Sequence, residues 1–119
     1  MKQSEYIPGD WVKASGQLCR VEEVFVNRLT KEYEYTLIYP NGNSSRIVIG
    51  EIEPVPLTPE ILEKNGWEWD DQDFRLGALD LFPVENYFVL DGFWNKKLKY
   101  VHQLQHLLFG LGIDSEIKI

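Results

Sequence analysis

The chain has 119 residues, 44% of them hydrophobic and 26% charged, so we expect one globular domain or two small subdomains rather than disorder. Its formal net charge of −7 opposes binding to phosphate backbones, which need Lys and Arg to replace released counterions. Cys19 is the only cysteine, which excludes an intrachain disulfide and favours a reducing compartment. Residues 1–10 do not resemble a signal peptide and no apolar run is long enough to cross a bilayer, so we expect a cytoplasmic protein without membrane contact.

Residues 1–56 have the pattern of a small all-β domain. Segments with strand character lie at 10–13, 18–26, 31–39, 46–49 and 53–55. The alternation in the second segment breaks at Glu22 and Glu23, which predicts a β-bulge. The turn sequence PNGN at 40–43 predicts a hairpin, because Asn and Gly tolerate positive φ. These features, with GDWV at 9–12, resemble an SH3-like barrel.

Residues 57–119 have a mixed pattern, and the proline-rich stretch 54–59 predicts a boundary after Pro56. Thr58 predicts the N-cap of a short helix that ends at Gly66. Strands are predicted at 67–69, 74–82 and 86–90, a second helix from about 98 or 100 to 111, and a final strand at Ile113, Ile117 and Ile119. We therefore predict an α+β protein: a barrel at 1–56 packed against an α-β-β-α-β unit at 57–119. The residues predicted to be buried in that second unit are Trp67, Leu76, Leu79, Phe88, Leu90, Val101, Leu104, Leu108 and Leu111.

Two segments of the second half carry a resemblance to a known family. They are PLTPEILEKNGW at 56–67 and YVHQLQH at 100–106. Both resemble segments of small proteins of prophage and mobile-element neighbourhoods in anaerobic gut bacteria, although Trp67 stands where Phe is usual. That family has no established activity, so the resemblance implies a genomic setting and no mechanism.

The only two histidines, His102 and His106, lie four residues apart on the predicted second helix, which is the spacing of a metal-binding helix. Gln103 occupies the position where a metalloprotease needs a general-base Glu, which excludes that mechanism. A metal site would need further ligands, and Cys19 and Asp91 are the candidates. We expect packing or hydrogen bonding rather than metal ligation, and no stoichiometric zinc.

The densest acidic cluster is formed by Asp70, Asp71 and Asp73, with Glu68 just before it. A calcium loop would need a glycine at its sharp turn and a later bidentate Glu, and the cluster lacks both at the required spacing. Paired carboxylates for glycoside hydrolysis would need a fixed separation that nothing in the sequence indicates. We interpret the cluster as a solvated turn.

One strip of the sequence is both basic and aromatic: Trp94, Lys96, Lys97, Lys99 and Tyr100. Cations beside stacking aromatics are what a single-stranded nucleic-acid surface requires. The alternative is that the aromatics are partly buried and the lysines solubilise a loop near the start of the helix.

A second set of aromatic residues lies in the predicted barrel: Trp11, Tyr33, Tyr35 and Tyr39. They could line a peptide-binding groove, but the period of two at 33–39 is equally that of an inward face. Cys19 lies mid-strand, and we interpret it as a small buried hydrophobic residue rather than a nucleophile.

The sequence contains no nucleophile motif, phosphate-binding loop or dinucleotide fingerprint. We therefore predict neither an enzyme nor a cofactor. The leading hypothesis is a non-catalytic protein-interaction or accessory module of a phage or mobile element, with a protein as partner. The alternative is single-stranded nucleic-acid binding through the basic and aromatic strip.

Overall fold

The computed structural model describes residues 6–48, 52–113 and 116–119, with the backbone alone described at 45–48 and 93–96. The chain divides into two compact units, Met1–Val55 (unit 1) and Pro56–Ile119 (unit 2). Each unit contains a five-stranded antiparallel sheet, and unit 2 also contains two helices. The predicted α+β class is therefore confirmed. Neither helix is long and apolar enough to span a membrane within the described part of the chain.

Unit 1 is a sheet in which four strands follow one another and the fifth returns to the first. The strands are β1 (Trp11–Ala14), β2 (Gln17–Val26), β3 (Tyr33–Ile38), β4 (Ser44–Val48) and β5 (Ile52–Pro54). Their order is β4-β3-β2-β1-β5, so the five predicted strands are confirmed. Among the described residues no ladder joins β4 to β5, and a closed barrel is not observed there.

The predicted bulge in β2 is confirmed, since the register with β3 shifts between Val21 and Glu23. Val21 pairs with Leu37 and Val24 pairs with Tyr35. The extra residue thus keeps both valines on the face that carries the core. The buried core of unit 1 contains Tyr6, Val12, Ala14, Cys19, Val21, Tyr35, Leu37 and Ile52.

Unit 2 is a five-stranded meander between two helices. Its elements are α1 (Pro59–Lys64), β6 (Glu68–Trp69), β7 (Phe74–Leu76), β8 (Leu79–Val84), β9 (Tyr87–Leu90), β10 (Phe93–Leu98) and α2 (Val101–Gly110). The sheet order β10-β9-β8-β7-β6 follows the chain without a crossover. The predicted order α-β-β-α-β is therefore wrong, because five strands lie between the helices. That is three more than this order contains and two more than the predicted segments 67–69, 74–82 and 86–90, and no described strand follows α2.

The two extra strands arise from turns that the sequence pattern did not resolve. Gly77 has φ +59 and closes a tight turn, which divides the predicted strand 74–82 into β7 and β8. Gly92 has φ +89, so the chain reverses there and β10 pairs back onto β9. Positive φ is readily accessible to glycine, which makes both residues suitable for hairpin turns.

Capping interactions define both ends of the short helix α1. The Thr58 side chain accepts a hydrogen bond from the Ile61 amide at 3.3 Å, and Pro59 opens the helix with a pre-set φ. At the other end Gly66 has φ +89, and the Trp67 amide donates to the Leu62 carbonyl at 3.0 Å. This is a Schellman motif, and Trp67 and Leu62, which occupy the two positions of its usual hydrophobic contact, are both buried.

The predicted final strand is wrong for the described residues 116–119, which run along the end of α1 without joining a sheet. The Asn65 side chain donates to the Lys118 carbonyl and accepts from the Lys118 amide, both at 2.7 Å. The Lys64 ammonium also donates to the Ile119 backbone oxygen at 2.9 Å. The Asn65 side chain therefore makes the two hydrogen bonds to the Lys118 backbone that a neighbouring strand would otherwise make. Ile117, in the same segment, is buried.

The predicted core of unit 2 is correct in most positions. Leu76 and Leu79 are only half-buried, and Leu111 is exposed over 39% of its surface, so burial of Leu111 was wrongly predicted. The predicted core residues that are buried are Trp67, Phe88, Leu90, Val101, Leu104 and Leu108.

Candidate functional site

The start of α2 is capped by the side chain of Gln103. The Gln103 side-chain oxygen accepts hydrogen bonds from the Lys99 amide at 2.8 Å and the Tyr100 amide at 3.0 Å. This satisfies two backbone donors at the helix start, as the third-position residue of a capping box does. The position that would need Glu in a metalloprotease is therefore used to cap the helix.

The helix ends in the same way as α1. Gly112 has φ +72, and the Ile113 amide donates to the Leu108 carbonyl at 2.9 Å, which completes a Schellman motif. One face of α2 is buried, and it carries Val101, His102, Leu104, Gln105 and Leu108.

The opposite face of α2 lines a cavity. Gln103, His106, Leu107, Gly110 and Leu111 recur at three- and four-residue spacing, so they form one continuous stripe along the helix. Together with Lys97 and Leu98 at the end of β10, this stripe lines an open volume of about 500 Å³, which we call the α2–β10 groove. Its size lies in the range of small-ligand and peptide-anchor sites.

The rim of the α2–β10 groove is basic. Lys97 is exposed, and its ammonium lies 5.2 Å from the centre of the Tyr87 ring, within cation–π range. Lys99 is also exposed, two residues before α2 begins. The helix itself, VHQLQHLLFG, contributes no carboxylate. On a chain of net charge −7, this is a local surface that favours an acidic contact.

The groove contains part of the predicted basic and aromatic strip. Lys97 lies at its rim, whereas Tyr100 is half-buried and stacks on His102 with ring centres 5.9 Å apart. The side chains of Trp94 and Lys96 lie outside the described residues. Lys97 lies on β10, before the start of the helix.

The two histidines contact each other, His102 from the core and His106 from the lining of the groove. His102 is buried and its ring meets His106 edge-on, with ring centres 5.6 Å apart. The described residues contain no group of three or more His, Cys, Asp or Glu side chains arranged to hold a metal ion. Of the suggested third ligands, Asp91 therefore does not form such a group with them, and Cys19 belongs to unit 1.

The aromatic residues of unit 1 do not line one groove. Tyr35 has no exposed surface and packs in the core, so the interpretation of this residue as a ligand contact is corrected. Tyr33 and Tyr39 are half-buried against the same core. Trp11 precedes the buried Val12 on β1 and thus faces the other side of the sheet, where the Arg20 guanidinium lies 4.9 Å from its ring centre.

The acidic cluster at 70–73 is organised around an arginine. The Arg75 Nε lies 2.9 Å from a carboxylate oxygen of Asp70, 3.0 Å from Asp80 and 3.7 Å from Asp73. Hydrogen bonds, first from the Asp73 amide, hold the pKa of Asp70 below its usual value. Burial, together with the hydrogen bond to Asp70, raises the pKa of Asp73. The Arg75 guanidinium is therefore a cation that the chain itself supplies to these carboxylates, and it offsets part of their negative charge.

Cys19 is buried, and its thiol donates weakly to the Gln17 carbonyl at 3.4 Å. Burial raises the pKa of this thiol, which disfavours the thiolate that nucleophilic chemistry requires.

Comparisons with known proteins found no matching family model, no matching curated protein and no matching solved structure. The assignment of function therefore depends on the chemistry of the site.

Proposed function

We propose that the protein is a non-catalytic interaction module that binds a protein partner through the α2–β10 groove. The observation that supports this most strongly is the second face of α2. A surface helix normally buries one apolar stripe and presents charged residues on the other side. Here the other side carries Leu107 and Leu111 beside a cavity of about 500 Å³.

The end of α2 adds further apolar surface. Phe109 is 70% exposed, Leu111 39% and Ile113 38%. Single exposed apolar residues are ordinary, but several in five consecutive positions form a patch of the kind that marks interaction sites. Lys97 at the rim, with the exposed Lys99 two residues further along the chain, would orient an acidic partner over this patch.

We further propose an accessory role in a phage or mobile element and an SH3-like barrel for unit 1. The resemblance of residues 56–67 and 100–106 to proteins of mobile-element neighbourhoods supports the first. The strand order of unit 1, with β5 returning to β1, supports the second. A gene consistently found within a metabolic operon would contradict the accessory role.

The experiment compares groove variants with a matched surface variant in co-purification from the native host. The Leu107→Asp and Leu111→Asp double variant places carboxylates in the groove, whereas Leu29→Asp changes a leucine that is 94% exposed on unit 1. We expect a partner that is retained by the wild type and by Leu29→Asp and lost by the groove variant. That partner must then bind the purified protein directly. Equal retention by both variants would contradict the proposal.

Single-stranded nucleic-acid binding is the second candidate, and the Lys97–Tyr87 pair is the contact that favours it. A fluorescent oligonucleotide should then bind at low salt and dissociate steeply as salt rises. Because the net charge opposes this function, we expect no binding at physiological salt. Tight oligonucleotide binding at physiological salt that depends on Lys97 would show that the partner is a nucleic acid and not a protein.

A further inference from the structure

We infer that the partner segment in the α2–β10 groove is an acidic amphipathic helix that packs across Gly110, an inference that rests on the proposed function. Gly110 is the last residue of α2, where a glycine is less favourable than alanine. Its φ is not in the left-handed region, unlike that of Gly112. A Cβ at Gly110 would meet none of the described atoms within 4 Å. Neither backbone conformation nor packing within the described chain therefore requires this glycine.

A glycine in this place is useful to a partner whose backbone comes close. Gly110 lies on the groove stripe between Leu107 and Leu111, so it forms a notch flanked by two apolar side chains. Helices pack with axes about 8–10 Å apart, and small residues at the crossing point give the closer distances. The notch fits the crossing point of a second helix.

The sheet edge beside the groove is unsuited to an added strand. β10 is the last strand in the sheet order, but its register with β9 shifts between Phe93 and Lys97. Bulges and lysines on an edge strand are features that oppose further strand pairing. The regular surface at this site is the helix, whose rows of side chains accept the ridges of another helix.

Charge complementarity favours an acidic partner over a second copy of this chain. The α2 of a second copy would bring no carboxylate to the groove, and the copy's own Lys97, which lines the same groove, would come close to the Lys97 already there. A partner helix with Asp or Glu beside its apolar stripe would instead face this lysine. Its apolar residues, three and four positions apart, would contact Leu107 and Leu111.

The probe is a displayed library of random linear peptides, selected on the wild type and counter-selected on Leu107→Asp. We expect the enriched peptides to carry apolar residues at three- and four-residue spacing, with Asp or Glu on the flanks. One enriched peptide is then titrated against the wild type, Gly110→Ala and Gly110→Gln. Glu60→Gln, an exposed change on α1, is the matched control.

The glycine variants separate binding from folding. Both should raise the Tm, because alanine and glutamine favour a helix more than glycine does. We expect Gly110→Gln to weaken peptide binding by about tenfold or more, Gly110→Ala to weaken it less, and Glu60→Gln to leave it unchanged. Loss of binding with a raised Tm cannot be attributed to unfolding.

Four results would overturn the inference. Undiminished binding by Gly110→Gln would show that no backbone approaches this residue. Enriched peptides with a period of two would indicate an extended segment, and the proposed function would stand. Self-association of the wild type that is abolished by Gly110→Gln would identify the occupant as a second copy. If no peptide were enriched on the wild type relative to Leu107→Asp, the groove would not be a binding site. Both the inference and the proposed function would then be wrong.

Discussion

The two helices of unit 2 end with the same local motif and in different surroundings. In each, a glycine of positive φ follows the helix, and the next amide donates back to a carbonyl of the last turn. The hydrophobic residue after the glycine is Trp67 for α1, which is 2% exposed, and Ile113 for α2, which is 38% exposed. The end of α1 is also bonded to residues 116–119 through Asn65. Local capping chemistry therefore ends a helix, but it does not determine whether that end is covered.

The largest expected effect tests the difference between these two hydrophobic residues. Trp67→Ala should destabilise the protein by about 3–5 kcal/mol, because it removes a large buried side chain and leaves a cavity. Ile113→Ala should cost less than about 1 kcal/mol, because much of that side chain already contacts water. Urea unfolding of both variants measures the difference. Equal losses would show that the end of α2 is as well packed as that of α1.

A smaller loss of stability is expected when the bonds between the end of α1 and residues 116–119 are removed. Asn65→Ala removes the side-chain bonds to Lys118 and to the Ile61 carbonyl, and should cost about 1–2 kcal/mol. Amide hydrogen exchange at Lys118 should accelerate in the variant. Asn65→Asp, which keeps the acceptor for the Lys118 amide, should show an intermediate loss. Slow exchange at Lys118 in Asn65→Ala would mean that other contacts hold this segment.

The two glycines at the end of α2 should respond in opposite directions. Gly110→Ala should stabilise the protein by about 0.5–1 kcal/mol, since alanine favours a helix and the site is open. Gly112→Ala should destabilise it by about 1 kcal/mol, because φ of +72 is strained for a residue with a Cβ. Thermal unfolding of the two variants measures the direction of both changes in stability. A loss from Gly110→Ala would show that the glycine is needed by the fold itself.

The smallest effect concerns the basic rim. Lys97→Glu with Lys99→Glu should change the free energy of unfolding by less than about 0.5 kcal/mol for each substitution, as exposed charge changes usually do. A double variant with the wild-type Tm and no partner binding would assign the lysines to recognition. A large fall in Tm would show that they are structural, in which case the contact of Lys97 with Tyr87 would be the first to examine.

Much of the fold was predictable because it depends on local signals. Thr58 and Gly66 mark the ends of α1, and the break at Glu22 and Glu23 marks the bulge. The number of strands in unit 2 was not predictable in the same way. Gly77 divides one apolar run into two strands, and an apolar run with an internal glycine has the same pattern whether the chain turns there or continues.

The site was less predictable than the fold. Lys97 was recognised from the composition of the basic and aromatic strip, but Leu111 was assigned to the core and Leu107 was not singled out. Leu111 shares the three- and four-residue spacing of Leu104 and Leu108, and this spacing gives a helical face without stating whether anything covers it. Gly110 was missed because it lies inside the helix predicted to reach residue 111, and the sequence gives a single glycine there no visible role. Only the backbone conformation separates it from Gly112, whose φ of +72 lies in the left-handed region while that of Gly110 does not.

The bulge in β2 also has a consequence for which changes of chain length this strand can accommodate. Removing Glu23 would leave Val21, Glu22 and Val24 in simple alternation, so both valines would still face the core and the pairing with β3 could continue without a shift. Removing Arg20 instead would turn one part of the strand over, and either Cys19 or Val21 would face solvent. Unit 1 therefore contains one place in β2 where a shorter relative of this protein could lose a residue and keep the same core.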